Sequence, residues 1–224
     1  MKRTNHCIFE GTLVLVSGTR IGGSDDILQI GGTDLTCIKD PVTGRPYIPG
    51  SSIKGRMRAN LEKVLGKANG AEPCGCAGPD CPVCRVFGPH KKADHKLGPT
   101  RLVVSDAPLD GEFKIELKTE SVNRRDTGAA QHPRTLERVA PGARFRFKLG
   151  LQVFDIDAEF SYTDPDEKPV KGQEALRLVV DHALGLLEDS GIGSGTGKGY
   201  GQIRLENVKY RWTNLKRRSI ASAQ

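Results

Sequence analysis

Two stretches of this chain repeat their apolar residues at helical spacing, and each lies between segments whose apolar residues alternate. The first puts Ile53, Met57, Leu61, Val64 and Leu65 on one helical face, and the second does the same with Leu176, Val179, Val180, Ala183, Leu184 and Leu187. Pro49-Gly50-Ser51-Ser52 caps the first helix, which ends near Gly66; the second spans about 173–187. Strand patterns fall at Cys7 to Ser17, Thr100 to Ser105, Phe113 to Leu117, Arg144 to Asp155 and Gln202 to Trp212. Strand, helix, strands, helix, strand predicts an α+β chain of ferredoxin-like (RRM-like) design. A length of 224 residues supports one core, so 1–224 is read as a single domain with two decorations. One is a cysteine-bearing insertion at 68–96. The other is a polar, arginine-rich stretch at 118–142 without a core pattern, read as a projecting hairpin or arm.

The charge balance narrows the partner. Lys and Arg number 34 against 27 Asp and Glu, for a net charge of +7 and a pI near 9.1, which suits a polyanion. The N-terminus leads straight into an alternating segment, and the nearby apolar run Leu13-Val14-Leu15-Val16 is far too short to cross a bilayer. The expectation is a chain with neither secretory signal nor membrane span. Six cysteines in such a chain point to a reducing cytoplasm, where clustered thiols bind metal more often than they pair.

Four of those cysteines form the set Cys74-x-Cys76-x4-Cys81-x2-Cys84, separated by Gly, Pro and Asp that permit tight turns. Four thiolates so spaced suit tetrahedral Zn²⁺ with no position open to water, which makes the site structural. A Cys3His site using His90 or His95 and an iron-sulfur cluster are the alternatives. Cys7 and Cys37 stand apart and read as buried apolar residues.

Other features point to phosphate chemistry. Asp34 follows Gly31-Gly32-Thr33 in a loop rich in Gly and Asp, Gly18 to Asp40. Beyond it comes a helix start with Ser51, Ser52, Lys54, Arg56 and Arg58. The run from Gly191 to Gly201 fits neither the P-loop nor the dinucleotide pattern, and it follows a helix where both motifs follow a strand. It reads either as backbone amides with Lys198 that approach phosphates or as a simple connector. The arm carries Arg124, Arg125 and Arg134, whose guanidinium forks suit RNA, although such a stretch is commonly a solvated loop. Asp34 alone is a turn former, or else the one carboxylate needed beside a divalent cation when RNA supplies its own 2′-hydroxyl nucleophile.

These blocks, together with Ile48-Pro49-Gly50-Ser51-Ser52-Ile53-Lys54-Gly55, Cys84-Arg85-Val86-Phe87-Gly88 and the pairs Asn123-Arg124 and Pro133-Arg134, resemble the RAMP superfamily from first strand to last. Within it, the chain is most similar to the repeated backbone subunit of type III-A (Csm) CRISPR effector complexes, and III-B and III-D backbone subunits are similar too. The resemblance implies a ferredoxin-like palm with a thumb hairpin, in copies stacked as a filament along a CRISPR guide RNA beside other type III subunits. It implies cleavage of complementary target RNA at regular intervals, dependent on Mg²⁺ or Mn²⁺ and on Asp34, leaving a cyclic phosphate. Ser51, Ser52, Lys54 and Arg58 would hold guide phosphates, with Arg20 and Arg56 in the same basic surface. Gly193, Gly195, Gly197, Lys198 and Gly199 would touch the guide, and Arg124, Arg125 and Arg134 would lie at the thumb. Arg20 stands where some relatives carry His. Two rival readings are a purely structural RNA-binding subunit, with Asp34 only shaping a turn, and a zinc ribbon that binds duplex DNA. The second is opposed by the absence of Lys and Arg from 71–84.

Overall fold

The computed structural model describes residues 1–22, 35–68, 70–91, 94–163 and 168–213. Its main sheet is antiparallel, in the order β10 (Ile203–Thr213), β1 (Arg3–Leu15), β7 (Arg144–Phe154), β4 (Ala107–Asp110), β2 (Tyr47–Ile48), and β3 (Leu102–Val104) also pairs with β7. Helices α1 (Gly50–Val64) and α3 (Gly172–Ser190) pack against each other and supply the helical layer. The chain is thus a mixed α+β protein whose backbone runs strand, helix, strand, strand, helix, strand.

Alternation explains the layering. Cys7, Phe9, Leu13 and Leu15 of β1 and Phe145, Phe147, Leu149 and Leu151 of β7 are buried, joining Ile53, Met57 and Leu61 of α1 and Leu176, Val180 and Leu187 of α3 in one core. Gly11 marks a bulge where β1 slips register against β10. A Cβ there would sit 2.8 Å from the Phe147 ring, so only glycine keeps the central strand flat against its neighbour.

Three local readings change. The Pro49-Gly50-Ser51-Ser52 start does not cap α1 through its serines: Pro49 is the cap residue without a side-chain bond, and Gly50 N donates to Asp106 Oδ1 at 2.7 Å. A carboxylate 56 residues away satisfies the helix start, as the helix dipole favours. The strand read at 113–117 begins at Ile115 and continues to Asn123 as β5; it pairs with β6 (Ala130–Val139) as a two-stranded ribbon through the stretch that showed no pattern. Inside the cysteine insertion a short helix, α2 (Pro82–Phe87), starts at Cys81, whose sulfur accepts from Cys84 N. A minor pair, β8 (Ser161–Tyr162) and β9 (Val170–Lys171), leads into α3.

Beside α2 lies an ionic cluster that no sequence pattern announced. Asp157 is wholly buried and accepts from Arg101 Nη2 at 2.7 Å and Nε at 3.0 Å, from Arg85 Nη1 at 3.2 Å and from Phe154 N at 2.9 Å. The guanidiniums also lie over the Phe154 and Phe160 rings. Among the described residues no helix is long and apolar enough to cross a membrane.

Candidate metal centre and nucleic-acid interface

The four insertion cysteines converge. Cys74 Sγ lies 3.6 Å from Cys76, 3.9 Å from Cys81 and 3.7 Å from Cys84, and Cys76 and Cys84 are 3.7 Å apart. Thiolates about 2.3 Å from a tetrahedral centre stand about 3.8 Å from one another, so the cage has the dimensions of a four-thiolate metal site. The scaffold around it is hydrogen-bonded. Cys74 N donates to Glu62 Oε1 at 2.9 Å, and Arg58 bridges that carboxylate and the Cys74 carbonyl, both at 2.8 Å. Burial pushes the Cys81 thiol up to about 11 and raises Cys84 further. Burial acts the same way on Cys76, but the Gly78 amide and the neighbouring thiols bring it down to about 7. The His90 ring is engaged with Glu72 at 2.9 Å, and among the described residues only the four cysteines gather as metal ligands.

The glycine run forms a fixed arch. Ser194 N donates to Arg20 O at 2.9 Å, Thr19 Oγ1 to Ile192 O at 2.8 Å and Ser17 Oγ to Gly199 O at 2.9 Å. The backbone at Gly193 has φ +91°, and a Cβ there would meet Thr19 Oγ1 at 2.6 Å and Arg20 O at 2.7 Å, so no side chain fits. Gly195 opens and Gly199 closes the short 3-10 turn that contains Gly197 and Lys198. Arg20 itself donates through Nε to Thr36 O at 3.1 Å.

The α1 cations turn inward. Lys54 Nζ donates to Leu102 O at 2.8 Å, and burial lowers its pKa. Arg56 ties α1 to the arch through Ser190 O at 2.8 Å, Gly191 O at 3.1 Å and Thr196 Oγ1 at 3.1 Å, while Arg58 holds the metal cage as described. Ser51 is exposed and Ser52 half-buried at the N-terminal end of the helix, where Asp106 takes the Gly50 amide.

The ribbon and the arch meet on one carboxylate. Glu120 of β5 accepts from the Tyr200 hydroxyl, from Arg134 Nη2 at 3.1 Å and from Lys198 Nζ at 3.1 Å. Lys118 Nζ and the Arg138 guanidinium flank the Tyr200 ring at 4.2 and 4.6 Å. The Tyr200 hydroxyl first, then Arg134 and Lys198, hold the Glu120 carboxyl at about 2. Arg134 and Lys198 are nevertheless 53% and 60% exposed and can turn outward to a polyanion. At the ribbon tip Arg124 pairs with Asp126, and Arg125 is exposed.

A depressed carboxyl stabilises the ribbon's seat above its ordinary value near 4.5 and ceases to do so as pH falls towards 2. Amide protection in β5 and the arch, corrected for the intrinsic exchange rate at each pH, is expected to fall between pH 5 and pH 3, and to do so at higher pH in Tyr200→Phe. Equal protection at both pH values in both proteins would refute this latch.

Asp34 lies outside the described residues. Of the residues that border its segment, Gly22 bridges to Cys37, and Leu35 bridges to Leu136 of β6 with its carbonyl accepting from Glu137 N at 2.9 Å. Arg20 bridges to Ser194, so both ends of that segment join the body beside the arch and the ribbon. Glu120, Tyr200, Asp106 and Glu137 escaped the sequence reading; only Tyr200, an aromatic ring inside a glycine run, carried a visible signal.

The RAMP superfamily model matches residues 12–204. The chain is 37% identical to the CRISPR system Cms endoribonuclease Csm3 of Methanothermobacter thermautotrophicus, over 94% of this chain and 88% of that protein. It is 34% identical to the protein of the same name from Streptococcus thermophilus, over 90% and 87%. Among solved structures it is similar to the Csm3-Csm4 subcomplex of the type III-A CRISPR-Cas interference complex, with a TM-score of 0.58, 27% identity and coverage of 95% and 82%. A family model that spans most of the chain, with relatives 37% and 34% identical over nine-tenths of it, settles the family: the chain belongs to the RAMP superfamily and, within it, to the family of the Csm3 proteins.

Proposed function

We propose that this chain is a guide-RNA-binding backbone subunit of a type III CRISPR effector complex, and that it cleaves complementary target RNA at regular intervals. The observation that carries the reading is the convergence of the arginine-bearing ribbon, the glycine arch and both ends of the Asp34 segment at one place. The near full-length likeness to endoribonucleases of the same family supports it. In this reading the main sheet and its helices are the ferredoxin-like palm and the ribbon is the thumb. Guide phosphates lie on Ser51, Ser52 and the arch, with Lys198 and Arg134 leaving Glu120 to meet them; Arg125 reaches the duplex from the tip. Lys54, Arg56 and Arg58 act chiefly by holding α1 against the arch and the metal cage. Further copies of the chain stack along the guide, and other type III subunits complete the complex.

Cleavage needs the target's 2′-oxygen to attack the adjacent phosphorus while the 5′-oxygen departs, leaving a 2′,3′-cyclic phosphate. A fixed backbone geometry supplies much of the rate by aligning those two oxygens. A divalent cation, when bound, would neutralise charge developing on the phosphoryl oxygens. Asp34 is the carboxylate we assign to that cation or to the departing proton. Among the described residues no group of three carboxylate or imidazole ligands offers a rival site.

The test is a reconstituted complex given guide-complementary RNA with Mg²⁺ or Mn²⁺, then with EDTA. Regularly spaced products that vanish in EDTA are expected. Bound but uncut RNA would leave the chain as a structural filament subunit.

We infer that the four-cysteine cage holds structural Zn²⁺, since its spacing and closure leave no open ligand position. Elemental analysis is expected to find one zinc per chain and none in Cys84→Ser, with faster proteolysis at 70–91 in that variant. Iron, or a well-folded protein with no metal, would overturn this.

A further inference from the structure

The helices cover one face of the main sheet; among the described residues nothing covers the other. Register assigns its side chains. β7 presents Arg144, Arg146 and Lys148 in a row, β10 presents Arg204, Lys209 and Arg211, and β1 lies between them with Ile8, Glu10, Thr12 and Val14. Ile8 and Val14 are buried beneath the longer side chains on either side. The result is a low central strand between two cation rows about 10 Å apart, with cations about 7 Å from one another along β7. A trough of about 630 Å³ crosses this face, lined among others by Arg146, Lys148, Lys209, Glu10 and Asp106.

The charges are unequal. Glu206 bridges Arg144 and Arg204, both at 2.8 Å; Glu10 bridges Lys148 at 3.3 Å and Arg211 at 3.5 Å; Arg146 approaches Asp110 at 3.7 Å. Six cations therefore face four carboxylates, one of which, Asp106, already accepts from Gly50 N. All five pairs are solvent-exposed, and such pairs exchange partners at little cost. Tyr210 and Trp212 pair in register with the inward residues Phe9 and Cys7, and among the described residues of β1, β7 and β10 the outer face carries only the half-buried His6 imidazole, beside Gly150, as a ring for stacking bases. Its exposed apolar side chain beside β7, Val103 opposite Gly150, is small and is not the aromatic or arginine anchor on which protein interfaces ordinarily centre.

We propose that this outer face is a second binding surface for RNA, gripping the sugar-phosphate backbone without reading sequence. It is separate from the guide surface, which lies at the arch and ribbon. Its purpose would be to hold RNA that is not paired to the guide, so it goes beyond the function proposed above and does not require cleavage.

The test measures binding of the full chain to a 30-nucleotide uridine RNA at several salt concentrations. Three proteins are compared: wild type, the outer-face variant R146A/K148A/K209A and the arch variant R125A/K198A. Single strands contribute a slope of about 0.7 per neutralised phosphate in log affinity against log salt. Loss of three contacts is expected to lower the outer-face variant's slope by about 2, and its affinity at low salt by about tenfold or more. R146K/K209R should retain both. Because the arch variant is measured separately, failure of the guide reading would show there and leave this expectation standing. An outer-face variant with wild-type slope and affinity would overturn the proposal. So would one that keeps RNA affinity but loses binding to polyglutamate, which would mark the face as a dock for acidic protein.

Discussion

Asp34→Ala is expected to abolish target-RNA cleavage by the assembled complex, by at least 10²- to 10³-fold, while guide and target remain bound. A carboxylate that positions a cation or takes a proton acts only on the transition state, and its loss costs about 3–4 kcal/mol of barrier. Binding should persist because the cations assigned to it stand on other elements, at Arg125 and Arg134 of the ribbon and Lys198 of the arch. The fold should persist as well. Leu35, the next residue, is held through its own backbone by Glu137 N, so removal of the preceding carboxylate breaks no described anchor. Asp34→Asn keeps the shape without the charge and should fail equally. Cleavage rates beside gel-shift affinities, in Mg²⁺ or Mn²⁺, decide the matter. A variant that cuts at the wild-type rate would reject the role, and one that loses binding would make Asp34 a structural residue.

The largest effect on stability is expected at Asp157. Its carboxylate is fully buried between Arg101, also fully buried, and Arg85, and it carries the Phe154 amide as well. Asp157→Ala would leave two guanidiniums facing each other in the interior, with only the Asp80 charge acting on Arg85. Removing one partner from a buried ionic cluster costs about 3–5 kcal/mol, because the remaining charge cannot regain its hydration. For a chain of this size that corresponds to a fall in Tm of roughly 10 °C. Asp157→Asn should be nearly as costly, since the amide keeps one acceptor oxygen, turns an NH2 donor towards the N–H groups that met the other, and neutralises no charge. Urea or thermal unfolding measures it, and a loss below about 1 kcal/mol would show that water or backbone movement relieves the charges. Because Arg85 follows Cys84 directly and also donates to Pro79 O at 2.6 Å, Asp157 variants are further expected to loosen the metal insertion.

Much of the fold was legible because helices and half-buried strands impose local periods on the sequence. The stripes of Ile53 to Leu61 and Leu176 to Leu187 and the alternation of Arg144 to Asp155 are burial patterns, and each emerged within a few residues of its expected bounds, whereas Val64, read on the first stripe, turns out to solvent at the end of α1 and Leu65 is half-buried. The ribbon was legible only as an arm. Much of β5 and the outer end of β6 are exposed, so most of the ribbon has no buried face to impose an alternation, and only Leu136 and Val139 near its base are buried.

The sequence by itself determined the order of elements, the four-cysteine spacing and the basic character of the chain, all of which follow from neighbours in the chain. Tertiary structure decided where the charges went. Lys54, Arg56 and Arg58 looked like one phosphate-binding row, yet they bond inward to carbonyls at Leu102, at Ser190 and at Cys74. Asp106 became the cap of a helix 56 residues away, Asp157 the counter-ion of Arg85 and Arg101, and Glu120 the seat shared by ribbon and arch. A long charged side chain takes whichever acceptor the packed fold brings within reach, and that acceptor is set by three-dimensional proximity, which no local period encodes.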